Sequence, residues 1–141
     1  MSETINHTRL VGVILSWIGP RVTAVSGVCL YCDCPPVRVT EKPAPIEGYF
    51  PDVCLITVPS VLTILGEAKT LRDLESLRSF RQMVAFLRFL RVHPDPLFIL
   101  ATPWQVAATA KNIVRRAKKE AEADSIPVEF LSDLSENAQR P

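Results

Sequence analysis

Two apolar runs, YFPDVCLIT at 49–57 and LTILGEAK at 62–69, are separated only by Val58-Pro59-Ser60-Val61. Runs of this length joined by a short turn-forming segment read as a β-hairpin. Both are apolar at most positions, as strands covered on both faces are. The chain must therefore place layers above and below this hairpin, which rules out a simple helical bundle. The ionisable residues that interrupt the runs fall at one end of the hairpin. A turn about Pro59-Ser60 pairs residues whose numbers add up to 119, and Asp52 then lies opposite Glu67. Opposed residues of an antiparallel pair share a face with Cβ atoms about 5 Å apart. Lys69, two residues beyond Glu67, joins them on that face.

The rest of the chain supplies the covering layers. Residues 4–18 read as a helix stopped by Gly19-Pro20, and residues 22–34 as a strand ended by Pro35-Pro36. The proline-rich stretch 36–48 reads as a loop or an edge excursion. Over 71–92 the period changes: Leu71, Leu74, Leu77, Phe80, Val84, Leu87 and Leu90 recur at three- and four-residue spacing and predict one long amphipathic helix. A short strand at 97–101, a second helix at 104–123 and a last strand at 128–131 follow. With 141 residues, 48% of them hydrophobic, the chain can bury a single core. The expected class is α/β, a mixed central sheet flanked by helices, with one domain over 1–133 and a disordered tail at 134–141.

Carboxylates at the end of a buried hairpin are costly unless paired or bound to a cation. Two oxygen donors suit magnesium or manganese, with water and substrate phosphate completing the shell. A cation there activates phosphodiester and water, and Lys69 beside it can orient that water and stabilise charge on the phosphate oxygens.

Pro51-Asp52 opening one strand and Glu67-Ala68-Lys69 closing the next resemble the signature of the PD-(D/E)xK nucleases. The resemblance extends to the element order over residues 4–101, which matches the restriction-endonuclease-like core of helix, three-strand meander, helix and strand. It implies that Asp52, Glu67 and the Ala68 carbonyl bind the metal and that Lys69 assists the attacking water. Some exonuclease branches add a glutamine on the following helix, which places Gln82 in the site. Phe86 stands where those branches carry tyrosine. Many members also use an acid from the first helix, and Glu3 is the residue available there. The function implied is metal-dependent hydrolysis of DNA. The alternative is a catalytically inactive module of the same fold that binds nucleic acid or a protein partner.

A formal net charge of +1 names no partner, but its distribution is uneven. From Lys69 to Glu120 there are eleven Lys/Arg against four Asp/Glu. Arg78, Arg81 and Arg88 on the first long helix, and Lys111, Arg115, Lys118 and Lys119 on the second, are candidates for phosphate contacts; a solvated face is the plainer reading. A chain this small is expected to need a homodimer or larger assembly to grip a duplex. Cys29, Cys32, Cys34 and Cys54 allow a metal reading, but one strand would split Cys29 from the faces of the others, and buried free thiols are the simpler account. His7 and His93 have no visible partner, and Trp104 and Phe86 read as core. The apolar segment 10–18 is too short to span a bilayer and lacks the cationic flank of a signal peptide, so a cytoplasmic protein is expected, without a membrane partner.

Overall fold

The computed structural model describes residues 2–22, 28–32, 45–57 and 62–132. It is an α/β fold. Among the described residues five strands, β1 (Val28–Cys32), β2 (Val53–Thr57), β3 (Thr63–Ala68), β4 (Pro96–Thr102) and β5 (Val128–Ser132), lie in the order β1-β2-β3-β4-β5. The first two pairings are antiparallel, and β3-β4 and β4-β5 are parallel, so the sheet is mixed. The hairpin register is the expected one: Val53 pairs with Gly66, Cys54 with Leu65 and Leu55 with Ile64. The turn itself, loop 36–44, Cys34 and the tail beyond Ser132 lie outside the described residues.

Strand alternation sorts the core into two layers. Cys54, Leu65, Phe98 and Leu100 face helices α3 (Leu77–Arg91) and α4 (Ala107–Ala121). Val53, Leu55, Ile64, Ala68, Ile99 and Ala101 face helix α1 (Ser2–Val22). Helix α1 presents Leu10, Val11, Ile14 and Ile18, a stripe at three- and four-residue spacing, each at most 1% exposed. Gly66 lets this helix approach β3 closely. A Cβ there would stand 3.1 Å from Ile14 Cγ2 and 3.2 Å from the Val53 Cβ. Close docking of α1 brings its first turns to the end of the sheet where Asp52 and Glu67 lie.

Several boundaries differ from expectation; Val22, expected to open the first strand, belongs to α1, and β1 begins at Val28. Helix α1 continues through Pro20 to Val22. Pro20 falls in the last turn, where a missing N–H removes a single helical bond, and the Arg21 guanidinium supports the Trp17 carbonyl from the side (2.7 Å). The single helix expected over 71–92 is two: a one-turn helix α2 (Leu71–Leu74), then α3. Local capping causes the break. Thr70 and Asp73 form a reciprocal capping box on α2, and the Ser76 hydroxyl accepts the Ser79 N–H (3.0 Å) to start α3. The second long helix opens with a 3-10 turn over Trp104–Val106 before α4 begins.

Candidate active site

The site forms where β2 begins and β3 ends. Asp52 precedes β2 by one residue, and its backbone N–H donates to Glu67 Oε1 (3.1 Å). The Ala68 N–H donates in return to Asp52 Oδ2 (2.9 Å). These reciprocal bonds continue the hairpin past its last ladder pair and fix the two carboxyl groups against each other. Lys69 leaves the strand held by its own N–H to the Ala101 carbonyl (2.9 Å). Its side chain is buried, with Nζ 3.3 Å from Glu67 Oε2. Gln82, on α3, accepts a hydrogen bond from the same Nζ through Oε1 (2.5 Å). Asp52, Glu67, Ala68, Lys69 and Gln82 are thus brought together, as the sequence predicts.

His7 is a further member that sequence reasoning missed. It was expected to have no partner. Instead its Nε2 lies 3.1 Å from Asp52 Oδ2 across 45 residues of sequence. One signal could have found it: His7 stands three and four residues before Leu10 and Val11, on the same helical stripe as the buried apolar residues. His93 also has partners, the Phe89 carbonyl (2.6 Å) and the Phe89 ring (centroids 3.9 Å apart), both local to the end of α3. Glu3 lies on α1, with its side chain outside the described residues.

Environment separates the two acids. Burial opposes ionisation of Asp52. The His7 hydrogen bond and charge, the Ala68 amide and Lys69 outweigh it, and its pKa lies below the ordinary value. Glu67, 1% exposed, goes the other way: burial first, then the neighbouring Asp52 charge, push its pKa well above the ordinary carboxylate range despite Lys69. The hydrogen bond to Asp52 raises His7 above its usual value.

A raised carboxyl pKa in the folded state favours folding at low pH, and that contribution is lost as pH climbs from about 4.5 through the folded-state value. Glu67→Gln removes this titration. In EDTA the melting temperature of Glu67→Gln relative to the unsubstituted protein is expected to increase as pH rises from about 4.5. A melting-temperature difference that stays constant across pH by calorimetry contradicts the assignment.

The basic candidates divide along the molecule. Arg78 and Arg81 are exposed near the start of α3, on the turns that carry Gln82. Arg78 sits over the Tyr49 ring (5.3 Å). Arg88 is held by Glu47 through two bonds (3.0 and 2.6 Å) and is not a free phosphate ligand. Helix α4 begins beyond the end of β4 and ends where the chain returns to pair Val128 with Phe98, so Lys118 and Lys119 lie toward the sheet end opposite Glu67. Lys111 lies over Phe130 (5.8 Å), and Arg115 bonds Asn112 (2.7 Å). Phe86 is fully buried, as expected of core. Trp104 is not; it is 53% exposed. Cys54 is a buried free thiol whose pKa burial pushes up to about 11, which disfavours a reactive thiolate near neutral pH. The side chains of Cys29 and Cys32 are outside the described residues.

No family model, curated protein or solved structure matches the chain. Among the described residues no helix is long and apolar enough to cross a membrane, and no three His, Cys, Asp or Glu side chains form a ready-made metal cage.

Proposed function

We propose that the chain is a metal-dependent nuclease of the PD-(D/E)xK type, hydrolysing DNA phosphodiester bonds at Asp52, Glu67 and Lys69. The observation that carries this reading is Glu67, a fully buried carboxyl group packed against a second carboxylate and held away from its ordinary titration. A merely structural position would favour glutamine or an apolar residue, because a buried carboxylate is costly even when it is paired, as Glu67 is with Lys69. The donor set fits a hard divalent cation, for which two carboxylates and a backbone carbonyl are sufficient when water and phosphate complete the shell.

Asp52, Glu67 and the Ala68 carbonyl are the groups that would hold magnesium or manganese. The chemistry supplied there on binding is polarisation of a phosphodiester and acidification of water. The protein's own groups do the rest. Asp52 is fixed through Oδ2 by His7 and the Ala68 amide, so Oδ1 is its outward donor among the described contacts. Glu67, in which burial favours the proton, would have to be ionised to hold the metal. Lys69, steadied by Gln82 and Glu67, points a cationic donor at the same place, where it orients the attacking water and stabilises charge on the phosphate oxygens. Arg78 and Arg81, exposed on the turns of α3 that carry Gln82, would contact the DNA backbone, and a homodimer would extend that grip.

Metal titration separates this reading from an inactive binding module of the same fold. Calorimetry with manganese is expected to show one site per chain in the unsubstituted protein and none in Asp52→Asn. Equal binding by both proteins, or none by either, refutes the placement.

A further inference from the structure

Helix α1 meets the candidate site at His7. This residue stands three positions before Leu10, four before Val11 and seven before Ile14, all buried against the sheet. The packed stripe of the helix therefore turns the imidazole toward the start of β2. There its Nε2 lies 3.1 Å from Asp52 Oδ2, with both side chains mostly covered. Asp52, its pKa held below the ordinary value, is ionised near neutral pH and can only accept, so Nε2 carries the proton. The Ala68 N–H donates to the same oxygen (2.9 Å). Ala68 belongs to the hairpin that carries Asp52. Among the described residues, His7 supplies the hydrogen bond to this carboxylate that comes from outside the hairpin.

An aspartate carboxylate turns about its Cβ–Cγ bond between broad, roughly two-fold minima. Held by Ala68 alone, Asp52 would pivot about a single bond, and its two oxygens would share the outward position. A second donor on the same oxygen, mounted on a different element, removes that freedom. Partners of this kind, which touch a ligand side chain rather than the metal, hold it in the orientation that binding needs. We propose that His7 is a positioning residue of the metal site, whose Nε2–H holds Asp52 Oδ2 so that Oδ1 faces the cation. The proposal rests on the nuclease reading and adds to it a residue that the Asp-Glu-Lys signature does not contain. It requires a hydrogen-bond donor at the position of Nε2 and no charge on the ring.

Two substitutions separate the donor from the ring. Glutamine places an N–H as many bonds from the backbone as Nε2 and cannot become cationic; leucine fills the space without a donor. Both are good helix formers, so α1 is kept. In manganese titrations by calorimetry near neutral pH, His7→Leu is expected to weaken binding about 10- to 100-fold. His7→Gln should stay within a few-fold of the unsubstituted protein. In EDTA, the melting temperatures of all three should be close. Manganese bound equally well by His7→Leu overturns the proposal, and so does His7→Gln binding as weakly as His7→Leu. A His7→Leu protein that melts far below the others in EDTA gives His7 a structural role and overturns it too. The two readings fail separately. Manganese binding that is lost in Asp52→Asn but indifferent to His7→Leu defeats the positioning role alone. Binding that is weakened by leucine and restored by glutamine, in a metal-loaded protein that cuts no DNA, defeats the nuclease reading alone. Absence of manganese binding by the unsubstituted protein defeats both.

Discussion

Replacing Lys69 by methionine is expected to reduce DNA cleavage by about 10²–10³-fold or more while the protein stays folded. The reason lies in what surrounds Nζ. It is buried between Glu67 Oε2 at 3.3 Å and Gln82 Oε1, so its direction is fixed before substrate arrives. A preorganised cationic donor is worth more than a mobile one because little is reorganised during reaction. Methionine fills similar volume without the charge, and Glu67, already displaced toward its neutral form by burial, can remain protonated when the ammonium is gone. Stability should thus change little. Gln82→Ala, which frees Nζ but keeps it, should produce a smaller loss than Lys69→Met. Circular dichroism melts beside a cleavage time course check both expectations; a Lys69→Met protein that cleaves at the original rate contradicts the role.

The largest loss of stability should come from Phe98→Ala. Phe98 is fully buried in β4, next to Leu65 of β3 and Val128 of β5, and belongs to the layer under α3 and α4. Truncating a buried phenylalanine removes its transfer free energy and leaves a cavity that a sheet centre cannot collapse to fill, at a cost of about 3–5 kcal/mol. For a domain of this length that corresponds to a melting temperature lower by about 10–17 °C. Differential scanning calorimetry measures it directly. A decrease of no more than about 2 °C would show that the ring does not occupy this core.

The centre of the fold was legible in the sequence because it depends on short-range patterns. Two apolar runs and one turn set the register of β2 and β3, and strand parity then put Asp52, Glu67 and Lys69 on one face. Helical spacing placed Gln82 on the helix that follows. What the sequence did not reveal depends on how layers dock. His7 reaches Asp52 where α1 settles against β3 over Gly66; the helical stripe turns His7 inward but does not encode that tertiary distance. Trp104, which opens the 3-10 turn before α4, is exposed, whereas hydrophobicity alone assigns it to the core. The interruption at Ser76 was recoverable in principle. Thr70-x-x-Asp73 and Ser76 are capping residues inside an otherwise continuous apolar period, and the caps prevailed.

The basic residues show the opposite limit. Their sequence positions suggest one phosphate-binding surface, but topology distributes them along the length of α3 and α4 and ties Arg88 to Glu47. Arg78 and Arg81 share the early turns of α3 with Gln82, which holds Lys69, so they matter more to the proposed chemistry than Lys118 and Lys119.

The most direct test of the central claim is cleavage itself. Purified protein is incubated with linear, circular, single-stranded and branched DNA in magnesium, manganese or EDTA, beside Glu67→Gln and Lys69→Ala. The predicted result is cleavage that needs the metal and disappears in both variants, with folding intact. Cleavage that persists in EDTA or in both variants would contradict the account, as would intact, metal-loaded protein that leaves every substrate uncut.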